Sequence, residues 1–341
     1  MFHIRYQMNC PLLTIGIPTF NRAKLLGHTL ESVLRQIPSE LTNRVDILIS
    51  DNASTDDTEA AVQAFGTKYP VRITYSRNTE NIGYDRNVDR LFKKASGNYV
   101  WLLGDDDTLK DGAILHILDL LTQHPKLKAI LVNFDAYDAQ LEILQDQKEI
   151  SRDFLCTNPE MFLSNAASKY SLTSSLILNR ISWNQEDIEK GMGCHFIHVY
   201  GLFKILLRGD SYIVGRPLVN YRQGSVNITT SSGDAVLATG LSACKVTSMM
   251  TEMGHDKKIV RQLLKESRRY IYNLVRDAKV LGIQNKSKAA RSLLDIYSTP
   301  TVWFKLIPML YCPDGIYQPF YRVKKRASAF ARSLRQVGMR S

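Results

Sequence analysis

A chain of 341 residues, 44% hydrophobic and 23% charged, is long enough to bury a large core and form one large domain with an appendage. Its five cysteines, Cys10, Cys156, Cys194, Cys244 and Cys312, are scattered with no CxxC pair, which argues against a zinc site or a disulfide scaffold and fits a reducing compartment. The net charge of +11 is uneven: from His255 onward 19 Lys+Arg stand against 5 Asp+Glu, and the preceding body is slightly acidic. The opening MFHIRYQMN lacks the apolar core of a signal peptide, and no window reaches the ~18 consecutive apolar residues of a membrane span. The expectation is a cytoplasmic protein that does not cross a membrane.

Leu12 to Ile17 is predicted as a strand ended by Pro18, followed by Thr19-Phe20-Asn21-Arg22 and a helix with Leu25, Leu26, Leu30, Val33 and Leu34 on one face. Val45 to Ser50 is a second strand running into DNASTDDT, after which a helix continues to about Phe65. Val71 to Ser76 alternates as a third strand, and Asn78 to Gly83 turns into a helix holding Val88, Leu91, Phe92 and Ala95. Tyr99 to Leu103 is a buried fourth strand, Ala113 to Leu121 a helix, and Ala129 to Phe134 a fifth strand. Such alternation predicts βαβ units and a mostly parallel sheet. Further on, Phe154 to Ser168 reads as helix, Ser174 to Leu178 as strand and Trp183 to Gly193 as loop. His195 to Leu207 reads as helix, and Tyr212 to Val214 and Leu218 to Tyr221 as two short strands. Beyond Gly233 helices rich in Lys and Arg run to the end.

Ligands of parallel sheets gather beyond the carboxyl ends of the strands. Three of those ends carry polar clusters, PTFNR, SDNASTDD and GDDD. Asp105, Asp106 and Asp107 repel one another beside a core strand, and a hard divalent cation shared with a phosphate-bearing ligand would compensate them. The competing reading is a helix N-terminus, for which one Asp would serve. Pro18 to Arg22 offers backbone donors near a helix start together with a guanidinium, which suits a diphosphate.

IPTFNR, ISDNASTDDT, NTENIGYDRN and SGNYVWLLGDDD, in this order and spacing, resemble the family 2 glycosyltransferases over about residues 11 to 135, and more loosely to Tyr221. RGDSYIVGRPLVNYRQGSVNIT resembles the subset that builds bacterial surface polysaccharide, such as the O-antigen abequosyltransferases. The resemblance implies an α/β GT-A type nucleotide-sugar-binding sheet with flanking helices, a nucleotide-diphosphate sugar donor and Mg²⁺ or Mn²⁺. It gives Pro18, Thr19, Asn21 and Arg22 a nucleotide contact, with a helix cap the alternative for Asn21. Asp51 corresponds to the base-reading acid; a carboxylate accepts from uracil or cytosine alike, so a UDP, CDP or dTDP donor stays open. Asn81, Gly83, Arg86 and Asn87 resemble the NxGxxxARN motif, Arg86 either reaching the ligand or holding the loop. Asp105 takes the ribose, Asp106 the metal and diphosphate, with Asp107 assisting; Gly104 stands where many relatives carry their first Asp. Where inverting relatives place a catalytic Asp, counting back from Gly209, this chain has His198. A neutral imidazole can accept a hydroxyl proton, with His195 one turn earlier on the same face; a hydrogen-bonded histidine shaping the acceptor pocket is the alternative, and the stereochemical course stays open.

Residues 1–232 are expected to form the catalytic domain, with a nucleotide half at about 11–135 and an acceptor half at about 136–232, and 233–341 a basic helical C-terminal region. TVWFKLIPMLY, Tyr317, Phe320, Tyr321 and the basic run Val323 to Arg340 suit the inner face of the cytoplasmic membrane, where a polyprenyl-diphosphate-linked glycan acceptor would lie. A plain packed helical domain is the alternative. A nucleotidyltransferase would carry a Gly-rich phosphate loop where GIPTFNR stands, and a nucleic-acid-binding role would use the tail alone; no nucleic-acid partner is expected.

Overall fold

The structure is a computed structural model that describes residues 10–146, 150–224, 232–296 and 302–313. The N-terminal MFHIRYQMN, and Tyr317, Phe320, Tyr321 and the basic run to Arg340, lie outside the described residues. The chain divides into two compact units, residues 1–225 with 246–263, and 226–245 with 264–341.

The first unit begins with β1 (Leu13–Thr19), α1 (Ala23–Leu34), β2 (Val45–Asp51), α2 (Thr58–Lys68), β3 (Ile73–Arg77), α3 (Tyr84–Lys94) and β4 (Tyr99–Leu102). It continues with β5 (Thr108–Leu109), α4 (Ala113–Gln123), β6 (Ala129–Tyr137), β7 (Leu144–Asp146), β8 (Phe154–Cys156) and α5 (Pro159–Asn165). Then come β9 (Leu176–Asn179), α6 (Arg180–Asn184), α7 (Ile197–Leu206) and β10 (Ser211–Arg222). The strands form one sheet in the order β3-β2-β1-β4-β9-β6-β10-β5, with β7 on β6 and β8 on β10. β3, β2, β1 and β4 are parallel neighbours, so the ends at Arg77, Asp51, Thr19 and Leu102 open on the same edge.

Both faces of this half are covered, which is why β1, β2 and β4 are buried at every position and mostly apolar rather than alternating. Leu13, Ile15 and Ile17 face Leu26, Leu30 and Val33 of α1 and Ile114, Ile117 and Leu118 of α4 in one core. The alternate position, Gly16, faces α3 on the other side. A Cβ there would lie 2.5 Å from a Leu91 methyl, so glycine is what lets α3 sit down on β1. α3 packs in turn against α6 and α7, and the Phe92 and Trp183 rings stack at 3.9 Å.

The sheet departs from the expected mostly parallel one. β9 runs antiparallel between β4 and β6, making a mixed sheet. Phe154 to Ser168 is a strand and then a helix, because Asn158 accepts from the Met161 N–H and Pro159 starts the helix. Trp183 to Gly193 contains the end of α6, a helix whose start is capped by Asn179, and a 3-10 turn. The two short strands expected at 212–214 and 218–221 are one strand, β10, with its register shifted at Pro217, where no N–H is available for the ladder.

The second unit is helical. It takes in much of α8 (Gly233–Met253) and of α9 (Lys257–Val280), α10 (Lys286–Ile296), a π-helical turn at Val302–Leu306 and α11 (Ile307–Tyr311). Its own core gathers Leu237, Leu241, Ile271, Leu274, Val275, Leu293, Val302, Leu306 and Leu310.

Candidate active site

Four loops leave the shared edge and bind one another before any ligand is considered. From the first, the Thr19 hydroxyl donates to Asp105 Oδ2 at 2.8 Å, and Arg22 Nη1 donates to Asp105 Oδ1 and Asp106 Oδ2, each at 2.9 Å. Pro18 lies inside β1, paired in register with Ser50. Asn21 adopts a positive φ of 54°, and its carbonyl Oδ1 accepts from the Thr55 N–H at 2.7 Å while its own N–H donates to Ser54 Oγ at 2.8 Å. It is therefore a clip between the first and second loops and not the cap of α1. That cap comes from Asp56, whose carboxylate accepts from the Ala23 N–H at 3.0 Å and from Thr58 at the start of α2.

Asp51 is fully buried at the end of β2. Its Oδ1 accepts from the Ser54 N–H at 3.0 Å and hydroxyl at 2.5 Å; its Oδ2 accepts from Tyr75 at 2.5 Å and lies 3.6 Å from Arg77. Burial and the bond to Asp51 push the Tyr75 phenol up, so it stays a donor. Asn52 of the second loop, which sequence reasoning passed over, accepts from Asn78 and Ile82 of the third loop and donates to Asn81 Oδ1 at 2.7 Å. Gly83 holds φ 81° at the start of α3, a conformation that side chains resist. Asn87 is 2% exposed and spends its amide on Ser50 and Asn78, clamping α3 to the end of β2. Arg86 is exposed and pairs with Glu189 at 2.9 Å.

The three adjacent aspartates separate by role. Asp105 and Asp106 converge on the one Arg22 nitrogen. Burial pushes the Asp105 carboxyl up to about 6, and the Arg22 guanidinium opposes that rise. Asp107 turns inward: its side chain accepts from the Ser174 hydroxyl and from the Arg222 N–H at 3.0 Å, and its carboxyl is raised, first by burial and then by Asp106. Gly104 donates its N–H to the same Ser174 oxygen at 2.8 Å. Neither Ser174 nor Arg222 is expected at the aspartates from sequence; they reach them only because β9 and β10 return to this edge.

The guanidinium marks a point where two carboxylates already hold positive charge. Hard oxygen donors in that arrangement fit Mg²⁺ or Mn²⁺ when a diphosphate supplies further oxygens. Among the described residues no group of three His, Cys, Asp or Glu side chains converges on a single point, so the chain alone would not complete such a shell.

His198 lies in the first turn of α7 and is 2% exposed. Its Nε2 faces the Ser171 carbonyl at 3.2 Å, which can only accept, so Nε2 carries the proton and Nδ1 accepts from the Tyr84 hydroxyl at 3.3 Å. Burial lowers the imidazole to about 4, leaving it neutral. His195 does not share its face: it is exposed, precedes the helix at φ 57°, and gives its backbone N–H to Asp85 at 2.9 Å. Asp85, which lies within NTENIGYDRN but carries no expected role there, also accepts from the Ile197 N–H at 3.3 Å and so caps α7 from α3.

Residues 14–187, just over half of the chain, match the family model described as Glycosyl transferase family 2. The chain is 28% identical over 225 residues to the abequosyltransferase RfbV of Salmonella typhimurium, covering 61% of this chain and 66% of that protein. It is 37% identical over 105 residues to the GalNAc(5)-diNAcBac-PP-undecaprenol beta-1,3-glucosyltransferase of Campylobacter jejuni, covering 30% of this chain and 32% of that one. The matches thus span less than two thirds of the length of these curated relatives. Among solved structures, S. aureus TarS 1–349 in complex with UDP superposes with a TM-score of 0.62 at 16% identity, covering 83% of this chain and 79% of that one. The mannosyltransferase PcManGT from Pyrobaculum calidifontis, in complex with GDP-Man and Mn²⁺, superposes with a TM-score of 0.52 at 14% identity, covering 88% and 85%. These likenesses show the GT-A type fold. With the four loops gathered on one edge and the family model running across all of them, the chain belongs to glycosyl transferase family 2 and is a glycosyltransferase.

Proposed function

We propose that this enzyme moves a sugar from a CDP-, UDP- or dTDP-linked donor to a polyprenyl-diphosphate-linked glycan in bacterial surface polysaccharide assembly, O-antigen or capsule, at the inner face of the cytoplasmic membrane. The convergence of Asp105 and Asp106 on Arg22 carries this reading, since it supplies negative and positive groups where a metal–diphosphate must be held. The names of the abequosyltransferase and undecaprenol-linked relatives support the acceptor class.

In this reading Asp51 receives the base edge through Oδ2, which keeps a lone pair beside the Tyr75 bond while Oδ1 is filled by the Ser54 N–H and hydroxyl. Thr19 and Asp105 hold the ribose side, and Asp106 ligates Mg²⁺ or Mn²⁺. The ion, when bound, supplies Lewis-acid neutralisation of the departing diphosphate. Arg22, freed from part of its bond to the carboxylates, donates to the same leaving group. Asn21, Asn81, Gly83 and Asn87 keep the loops in register for the nucleotide, and Arg86 with Glu189 lies at the rim. Asp107 holds the turn that presents Asp106. His198 enters as a positioning residue instead of the expected general base, because both of its nitrogens are engaged and it is shut away from solvent. It fixes the Tyr84 and Ser171 side of the acceptor region.

A thermal-shift series with UDP, CDP, GDP and dTDP, each with Mn²⁺, tests the reading. One nucleotide is expected to raise the melting temperature selectively, and the rise is expected to disappear in Asp106→Asn. No stabilisation by any of the four would overturn it.

A further inference from the structure

We infer that the segment Val302–Tyr311 of the second unit is a lipid-facing surface that seats Trp303, Phe304 and Tyr311 in the interfacial layer of an anionic bilayer. One side of the segment, Val302, Leu306 and Leu310, is 3% exposed or less and belongs to the second unit's core. The other side presents Trp303 at 52%, Phe304 at 81% and Tyr311 at 49% exposure, with Lys305 exposed between them. This face is held in place. Lys279 of α9, itself 3% exposed, donates from Nζ to the Leu310 carbonyl at 3.2 Å and the Cys312 carbonyl at 2.6 Å, closing the end of α11. The aromatics are thus displayed on a fixed turn whose apolar stripe is already used.

Charge decides the occupant. The second unit carries 17 Lys+Arg against 5 Asp+Glu, and the first 27 against 28. Two copies meeting through such a unit would repel. An anionic lipid surface attracts it and accepts indole and phenol rings at the headgroup level. No described helix is long and apolar enough to cross a membrane, so the contact is one of lying on the surface. The inference rests on the membrane-face reading above and narrows it from attraction by charge to a built aromatic contact.

The full chain provides its own probe, because Trp101 and Trp183 are at most 1% exposed and Trp303 is the one tryptophan open to its surroundings. On adding phosphatidylglycerol–phosphatidylethanolamine vesicles, tryptophan emission is expected to shift to the blue and to be quenched by lipids brominated high on the acyl chain. Phosphatidylcholine vesicles should produce little of either. Trp303→Ala with Phe304→Ala is expected to lower the vesicle partition coefficient by about tenfold in co-sedimentation, with unchanged circular dichroism. Vesicle binding without a blue shift, or equal sedimentation of the double variant, would overturn the inference and leave charge alone as the attachment. A blue shift that follows protein concentration without vesicles would also overturn it, assigning the face to a second copy. The double variant should keep any nucleotide-induced thermal shift. Loss of that shift in the wild type would count against the transferase site, not against this surface.

Discussion

Asp106 and Asp107 are neighbours in sequence with opposite employments, and substitutions should separate them. Asp106 shares Arg22 with Asp105 and stays partly open, so Asp106→Asn is expected to cut transfer by about 10²–10³-fold while changing stability by no more than about 0.5 kcal/mol. Asp107 is 2% exposed and satisfies the Ser174 hydroxyl and the Arg222 N–H. Asp107→Ala should therefore cost about 2–3 kcal/mol in urea unfolding by stranding both donors. His198 makes a pH prediction. Its folded value of about 4 lies below the ordinary 6.5, so as pH falls through 6.5 the unfolded chain takes up the proton first. Its contribution to stability is complete above 6.5 and declines by roughly 3 kcal/mol on the way down to 4. Melting curves of His198→Asn across that range should be flatter than those of the wild type by this amount.

At the scale of elements, the starts of two helices in the first unit, α1 and α7, are closed by residues from other elements. Asp56 closes α1 from the second loop, and Asp85 closes α7 from α3. Arg22 and Phe196, the residues that stand at those two ends, make no side-chain cap. Each of these caps therefore reports tertiary assembly and not local propensity. Asp85→Ala is expected to cost about 1–2 kcal/mol, with Asp85→Asn recovering part of it, read by chemical denaturation. Faster amide exchange in the first turn of α7 should accompany the loss, because the His195 and Ile197 N–H groups go unpartnered.

At the scale of the molecule, a unit whose charges nearly balance carries the loops of the proposed donor site and a strongly basic helical unit carries the exposed aromatics of residues 302–311. Each has a separate hydrophobic core. A lesion in the second core should therefore leave the donor site alone. Lys279→Met removes the bonds to the Leu310 and Cys312 carbonyls and is expected to raise hydrogen exchange across residues 302–312 at a cost of about 1–3 kcal/mol. Nucleotide-induced stabilisation of the same variant should match that of the wild type. A reduced nucleotide response would show that the two cores are energetically tied.

How much of this could be read from residue order alone depends on the range of the interaction concerned. Strands β1, β2 and β4 announce themselves as mostly apolar runs, since burial on both faces leaves no regular polar alternation. The polar clusters after them, PTFNR, SDNASTDD and GDDD, mark the carboxyl edge, where ligands of parallel sheets gather, because each follows its strand directly. β9 entering antiparallel between β4 and β6 has no such signature, as strand order is settled by the packing of the whole sheet. The division of labour among Asp105, Asp106 and Asp107 was likewise out of reach. It turns on Arg22, Ser174 and Arg222, residues 67 to 116 positions away that only the closed sheet brings within hydrogen-bonding distance. Local composition marked the strand ends at which we propose that an anionic, activated ligand binds. Only long-range contact decided how each carboxylate there is partnered, because a side chain's solvation and partners belong to the fold and not to its neighbours in sequence.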